Sequence, residues 1–483
     1  MSDARPNVLW LFLEDTNPWF SCYGDTVVQT PNIDALAAAG VKFDRGYQTA
    51  GVCSPSRSAT ITGMYQTTIG AHNHLSSQPN FRGIDMGDDY DAIPLPEGMK
   101  TIPEYFTDAG YYTFNEGKTH YNFVFESEVL YDLNDGSMDF KGAKDGRDWS
   151  GCPEGKPFFG QIQLRGGKSI SLLKGPEVDR ASVPVPSFYP DHEIIREEIA
   201  VHYDCILHTD RQVGWIMERL EEEGLREHTI VMLFNDHGMR LPRHKQFIYE
   251  GGHKMPLLIS WPGREDVIAS GSVRDDLVSG IDIGPTSLAL AGLDVPAHME
   301  GQDLFGENFA DREYVVAAKD RCDYTIDRMR TIRTKRYRYV RNFMTDRPFM
   351  QPQFRDGSDF MELMRTMYAN GEMPPEQAFY WAEERPAEEF FDCDADPDEV
   401  VNLVNDPNHA EALQQHRYIL ERWIVDTDDK GQYPESEIGL QCVMKRWGDK
   451  CVNPEYDTIK NAVYRKYKGP FRTHHRISDS LYS

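Results

Sequence analysis

The hydrophobic pattern is sharpest in two short runs. Val8 to Leu13 is unbroken by any polar residue, and Ile230 to Phe234 repeats it. Runs of this length without alternation predict strands buried on both faces, as in a mostly parallel sheet flanked by helices. Each ends in residues able to hold a cation: Glu14-Asp15 after the first, Asn235-Asp236-His237 after the second. Ligands in open α/β sheets bind beyond the carboxyl ends of the strands, so the two runs together predict one acidic rim.

Further α/β units fill the chain between them. Thr101 with Glu104 three residues on predicts a capped helix start, Gly110 its end, and Tyr111 to Phe114 a strand leading to Lys118 and His120. Alternation places Lys118 and His120 on one side. Residues 191–223 carry a long amphipathic pattern closed by Gly224. Pro256 to Trp261 predicts another strand, and Asp282 caps a helix running to Ala291. Past residue 310 the pattern changes. Tyr314 to Ala317, and Met329 to Val340 broken at Thr334-Lys335-Arg336, predict antiparallel strands, with helices over 358–369 and 407–425. The expected organisation is a large α/β domain over residues 1–310 and a smaller α+β domain with an antiparallel sheet over 311–483. The stretch from 427 onward is polar and turn-rich and predicts no element.

Composition narrows the partners. The 483 residues are 40% hydrophobic and 27% charged, an ordinary globular balance, with a formal net charge of −27. Such a charge repels nucleic acid and anionic membrane, and neither is an expected partner. It still allows a small anion in a local cationic pocket. No apolar stretch has the length of a membrane span, and no secretory signal is expected from the N-terminal pattern. The expected location is the cytoplasm, with the mature form of a periplasmic or secreted protein as the alternative. The eight cysteines show neither a Cys-x-x-Cys pair nor zinc spacing, so no thiolate metal site is expected.

One cysteine stands in a chemical context. Pro55 suits the first turn of a helix that Ser58 to Thr62 continue and Gly63 ends, which puts Cys53 at a helix N-terminus. The free N–H groups and dipole there attract an anion such as sulfate or phosphate and lower a thiol's pKa. Arg57, one turn on, can fork onto the same anion. Alone, Cys53 reads equally well as a buried structural thiol. Arg240, Arg243, His244, Lys245, His253 and Lys254 concentrate positive charge, the expected place for steering an anionic substrate.

Cys53-Ser54-Pro55-Ser56-Arg57 through Gly63 resembles the signature of type I sulfatases, in the alkaline phosphatase-like superfamily, whose Cys-x-Pro-x-Arg cysteine is oxidised to formylglycine. Pro6 to Asp15, Thr30 to Leu36, Gly117 to His120, Asn235 to Gly238, Lys245 with Tyr249 to Gly252, and Glu389 to Leu403 are similar to further family motifs, in the same order. The resemblance implies a Ca²⁺ held by Glu14, Asp15, Asp236, His237 and residue 53, with Mg²⁺ or Mn²⁺ left open. Glu14 stands where aspartate is more usual, and its longer arm can reshape the site. The resemblance also implies a sulfatase acting on a small-molecule or oligosaccharide sulfate ester, with Cys53, Arg57, Lys118, His120 and Lys245 as catalytic residues. A formylglycine-generating or anaerobic sulfatase-maturating enzyme is the implied maturation partner, and a homo-oligomer is left open. After Pro157-Phe158-Phe159 the family commonly carries a histidine; here Lys168 falls at about that place, so the proton donor is either Lys245 or Lys168. Gly70-Ala71-His72-Asn73-His74 looks similar to stretches of bacterial carbohydrate sulfatases and has no assigned role. Two alternatives stand beside this reading: a phosphonate monoester or phosphodiester hydrolase of the same superfamily, and a sulfated-glycan binder that keeps the thiol.

Overall fold

The computed structural model describes residues 5–81, 84–87, 90–136 and 146–466. The first apolar run is β1 (Asn7–Leu13), inside an eight-stranded sheet with β2 (Val41–Tyr47), β3 (Tyr112–Glu116), β4 (Leu133–Asp135), β5 (Phe158–Leu164), β6 (Thr229–Asn235), β7 (Lys254–Ser260) and β8 (Ser272–Ser279). The order across the sheet is β8-β2-β7-β6-β1-β5-β3-β4. All pairs are parallel except those of β7, which runs antiparallel to β2 and β6.

The helices that explain the unbroken run of β1 are α1 (Pro31–Ala38), α2 (Cys53–Thr62), α3 (Ile102–Asp108), α4 (Glu193–Glu222) and α5 (Ile283–Leu290). Leu9, Leu11 and Leu13 pack with Ile33 of α1 and with Ile195, Ile199, Val213 and Leu220 of α4. Val8, Trp10 and Phe12 face the other way, toward Ile61 of α2, Phe106 of α3 and Leu288 of α5. Covering both faces removes the need for polar alternation. Each fully buried side chain of this size contributes about 1.5–3 kcal/mol. Thr101 and Glu104 form the reciprocal capping box at α3.

A second sheet, β9 (Val315–Lys319), β10 (Met329–Arg333), β11 (Tyr337–Asn342) and β12 (Glu388–Asp392), is antiparallel in that order. Its Ala317, Met329, Val340 and Phe391 join the hydrophobic cluster containing Leu9, Leu11 and Leu13. The expected helices are α6 (Asp359–Ala369) and α7 (Ala410–Asp426). Two expectations change. Asp282 does not cap α5: its carboxylate reaches back to the Ser279 N–H as the far half of a capping box and accepts a second bond from Gln302 N–H. The turn-rich C-terminal stretch holds two helices, α8 (Glu437–Trp447) and α9 (Glu455–Lys466), joined by a few buried contacts of Leu440, Val443, Tyr456 and Ile459. Its last residues, 467–483, lie outside the described chain. No helix among the described residues is long and apolar enough to cross a membrane. All eight cysteines are free.

Candidate active site at the sheet rim

Strand register sets the level of the site. Leu13 lies opposite Leu164 of β5 on one side and Asn235 of β6 on the other, so the segments after all three strands emerge together. Backbone bonds stitch them: Glu14 N–H to Leu164 O, Asp236 N–H to Leu13 O and Thr16 N–H to His237 O, each 3.1 Å. Asp15 takes a left-handed backbone (φ 46°), and its N–H donates to Asp236 Oδ1 at 3.1 Å.

Above this rim stands α2, all ten of its residues buried. Three of its buried hydroxyls bond the helix's own backbone, Ser58 Oγ to Ser54 O at 2.8 Å, Thr60 Oγ1 to Ser56 O at 3.1 Å and Thr62 Oγ1 to Ser58 O at 2.8 Å, and Ser56 Oγ reaches Gln48 Oε1 and Asp236 O. Cys53 is the first helical residue and Pro55 the third, with Gly63 closing the helix in the left-handed region. The Arg57 guanidinium, 1% exposed, donates to Asp236 Oδ2 at 3.1 Å and to Gln163 Oε1 at 2.6 Å, and lies over the Phe12 ring.

Cations then converge on the thiol. Lys118 pairs with Glu14; Lys168 Nζ lies 2.9 Å from Glu14 Oε1 and 3.6 Å from Asp15 Oδ1; Lys245 Nζ grips both Asp15 oxygens at 2.8 and 3.0 Å. Burial pushes the Cys53 thiol up, but Lys118, Lys245 and Lys168 overcome it and hold it well below the ordinary thiol range. His120 has a ring nitrogen within 4.8 Å of the same thiol; burial, and then Lys118, keep its imidazole well below the usual histidine range. Lys168 is opposite in sense: burial lowers it, but Asp15 and Glu14 prevail and hold the ammonium protonated well above the usual lysine range. Lys118 and His120 lie past the end of β3, and His120 itself has φ 62°, so strand alternation does not place them.

Asp15, Cys53, Asp236 and His237, all buried, offer ligand atoms within 4.8 Å of one another. His237 Nδ1 bonds Gly238 O at 2.8 Å, leaving a buried Nε2 without a hydrogen-bond partner, 3.4 Å from Asp15 Oδ1 and 3.6 Å from Asp236 Oδ1. In the neutral tautomer three acceptors then face one another, an arrangement that a cation between them satisfies, with the outer nitrogen held by a carbonyl as metal-binding histidines usually are. The donor set therefore fits a divalent ion. Glu14 is outside this group, its Oε1 committed to the two lysines.

The loop that carries Lys168 passes directly under Glu14 and Asp15. Gly166 has φ 51°, and a Cβ there would meet Glu14 O and Thr16 Oγ1 at 2.1 Å. Gly166→Ala is expected to cost about 1–3 kcal/mol by overpacking and to lower kcat/KM by displacing Glu14 and Lys168. Thermal unfolding beside initial-rate kinetics checks both effects.

The basic segment 240–254 corrects an expectation. Lys245 reaches the acidic cluster, but Arg240 pairs with Glu198, Arg243 packs on Phe188, Tyr249 and Tyr380, His244 bonds Gly251 O, His253 meets Arg338, and Lys254 pairs with Glu250. These charges and rings serve packing rather than steering. Sequence reasoning also passed over three groups. Gln163 holds Arg57 from inside β5, and its signal was a pair of polar residues, 161 and 163, on one face of an apolar strand. Arg355 clamps the Lys245 carbonyl and the Gln246 side chain from the far half of the chain. The adjacent Phe354 ring has Lys245 Nζ 5.6 Å from its centroid.

Comparison with known proteins accords with this geometry. The sequence profile of the sulfatase family matches residues 6–293, and that of the N-sulphoglucosamine sulphohydrolase C-terminal region matches residues 238–370. The chain belongs to the sulfatase family: it is a sulfuric ester hydrolase, from a family that generally uses a metal ion and formylglycine. It is 31% identical to an ulvan-active sulfatase of Formosa agariphila, over 95% of this chain and 80% of that one. It is 25% identical to human N-sulphoglucosamine sulphohydrolase, over 88% and 91%. Among solved structures, one in complex with its substrate D-glucosamine-2-N,6-O-disulfate aligns at TM-score 0.62 and 19% identity, over 88% of this chain and 98% of that one. A phosphonate monoester hydrolase of Agrobacterium radiobacter aligns at 0.62 and 17%, over 88% and 96%, so fold alone does not separate the two chemistries.

Proposed function

We propose that the chain removes sulfate from a sulfated sugar, using residue 53 in its formylglycine form. The observation that carries this reading is the convergence of Arg57, Lys118, Lys168 and Lys245 on the N-terminus of α2, in a chain whose net charge is −27. The sugar half follows the ulvan-active and N-sulphoglucosamine relatives. Residues up to 310 carry these groups, and Phe354 and Arg355, from the segment after 310, contact Lys245.

As a hydrate, formylglycine supplies an oxygen nucleophile and a second hydroxyl whose deprotonation frees the sulfate. Asp15, Asp236, His237 and residue 53 would hold a Ca²⁺, or Mg²⁺ or Mn²⁺ in its place, whose charge would oppose that on the sulfuryl oxygens. Arg57, Lys118 and Lys168 bind those oxygens. We assign the leaving-group proton to Lys245, which is buried beside Asp15, and leave Lys168, more exposed and paired with Glu14, to hold the anion. His120, held neutral, is the base. The modification itself requires a formylglycine-generating or anaerobic sulfatase-maturating partner.

The test compares kcat/KM across sulfated mono- and oligosaccharides with an aryl phosphonate and a phosphodiester. Higher values on a sulfate ester are expected, and preference for the phosphorus esters overturns the reading. On the same enzyme, Lys245→Ala should lower turnover of a sugar sulfate by about 10²–10⁴-fold and that of an aryl sulfate, whose phenol leaves unaided, far less. Lys168→Ala should lower both alike.

A further inference from the structure

A buried histidine outside that scheme touches its centre. His74 is 2% exposed, and its ring stands edge to face against His120, centroids 5.1 Å apart at 69°. One nitrogen of each ring and Cys53 Sγ lie within 4.8 Å of one another. Asp323 Oδ1 sits 3.2 Å from His74 Nδ1. His74, Cys322 and Asp323 also form a close group, but burial pushes the Cys322 thiol up to about 12, where it is a poor metal ligand. Their placement points to His120 instead.

His120 needs support. Its backbone is in the left-handed region, which is unfavourable for a non-glycine residue, and its Nδ1 is buried without a hydrogen-bond partner. Polar contact on that side therefore does not fix the tilt of the ring; packing must. The segment carrying His74 is built to supply it. Ser76 and Ser77 N–H groups donate to Asn122 Oδ1 at 2.8 and 3.1 Å, tying this segment to the one that follows His120. From the other direction Arg321 locks His74 to Asp323. Its N–H donates to Asn73 Oδ1, its carbonyl accepts from His74 N–H, and its Nη1 donates to both the His74 and Asp323 carbonyls, at 2.7–3.1 Å. Glu435 anchors the guanidinium of Arg321. Strained backbone held by so many bonds marks a position that the surrounding structure over-determines.

We propose that His74, fixed by Asp323, is the positioning residue that aims the His120 imidazole at residue 53. The inference rests on the reading of His120 as the base. In that step His120 takes the proton of the remaining hydroxyl, whose electron pair closes the carbonyl as the C–O bond to sulfate breaks, and sulfate leaves with the bonding pair. A misaimed imidazole should therefore slow sulfate release and leave attack and alcohol departure intact.

The experiment uses full-length, converted enzyme and four variants: His120→Ala as reference, His74→Ala, His74→Gln and Asp323→Asn. Asn suits the φ of 50° at residue 323, so that variant keeps the backbone even if the His74 variants fold poorly. Intact mass after a rapid quench reads any SO₃ unit retained on the protein, and steady-state kinetics and melting temperature are read in parallel. His74→Ala and Asp323→Asn are expected to lose about 10–100-fold in kcat with little change in KM and to retain the SO₃ unit as His120→Ala does, with His74→Gln partly restored. Retention in His120→Ala but in neither His74→Ala nor Asp323→Asn overturns the positioning role and leaves the base standing. Absence of retention in His120→Ala overturns the base, and this inference with it.

Discussion

Protein produced without a formylglycine-forming partner will keep Cys53 as a thiol and hydrolyse sulfate esters on the order of 10⁴-fold more slowly than converted protein, the scale of losing a nucleophile. The lysines around Cys53 hold its thiol well below the ordinary range, so a thiolate is available. A thiolate that attacked sulfur would have no second hydroxyl through which to let the sulfate go, so turnover would stop after one event. Arg57, Lys118, Lys168 and Lys245 are unchanged in the thiol form, so substrate binding should survive. Peptide mass spectrometry over residues 53–57, equilibrium binding and single-turnover kinetics on both forms measure the separate parts. Equal multiple turnover by thiol and converted protein would sink the formylglycine reading.

Arg57→Ala should combine loss of activity with loss of stability. The guanidinium and Asp236 are 1% and 0% exposed at the side chain, and deleting one partner leaves a buried carboxylate without its countercharge. Breaking such a pair costs about 3–5 kcal/mol, which would appear as a fall in the denaturant midpoint with an unchanged slope. Arg57→Lys should recover only part of this, because an ammonium cannot hold Asp236 and Gln163 together in one plane. Added Ca²⁺ should raise the variant's midpoint more than that of the unaltered protein, since an ion beside Asp236 replaces the missing charge. A midpoint insensitive to Ca²⁺ would count against the metal group formed by Asp15, residue 53, Asp236 and His237.

What the sequence made legible follows from which residues carry local constraints. β1 and β6 stood out because both of their faces are covered, and their shared register places Glu14-Asp15 and Asp236-His237 on one rim. The capping box at Thr101 was readable because Thr and Glu meet within four residues. Asp282 misled because several short-range roles suit an aspartate before a helix, and tertiary contacts with Gln302 and Arg312 chose among them. The basic segment 240–254 misled because charge in a sequence carries no record of partners, and Glu198, Glu250 and the aromatic rings that absorb it are distant or ambiguous in the chain. His74 and Asp323 are 249 positions apart by number, and no periodicity joins them. Glu14 was read as a metal ligand from its place beside Asp15, whereas its reach across to Lys118 and Lys168 depends on how three loops converge.

The burial of α2 also sets an order in time. Cys53 is 3% exposed, at the first turn of a helix with no exposed residue. For residue 53 to be converted as proposed, a modifying enzyme would have to reach residues 53–57 as accessible chain, and docking of the helix would end that accessibility. If residue 53 is converted as proposed, conversion and folding compete for the same nascent segment, and a molecule that folds first is committed to remaining a thiol for as long as it stays folded. The yield of working enzyme would then be set by a race during synthesis, and slowing translation or folding should raise it where adding the modifying enzyme to purified protein does not.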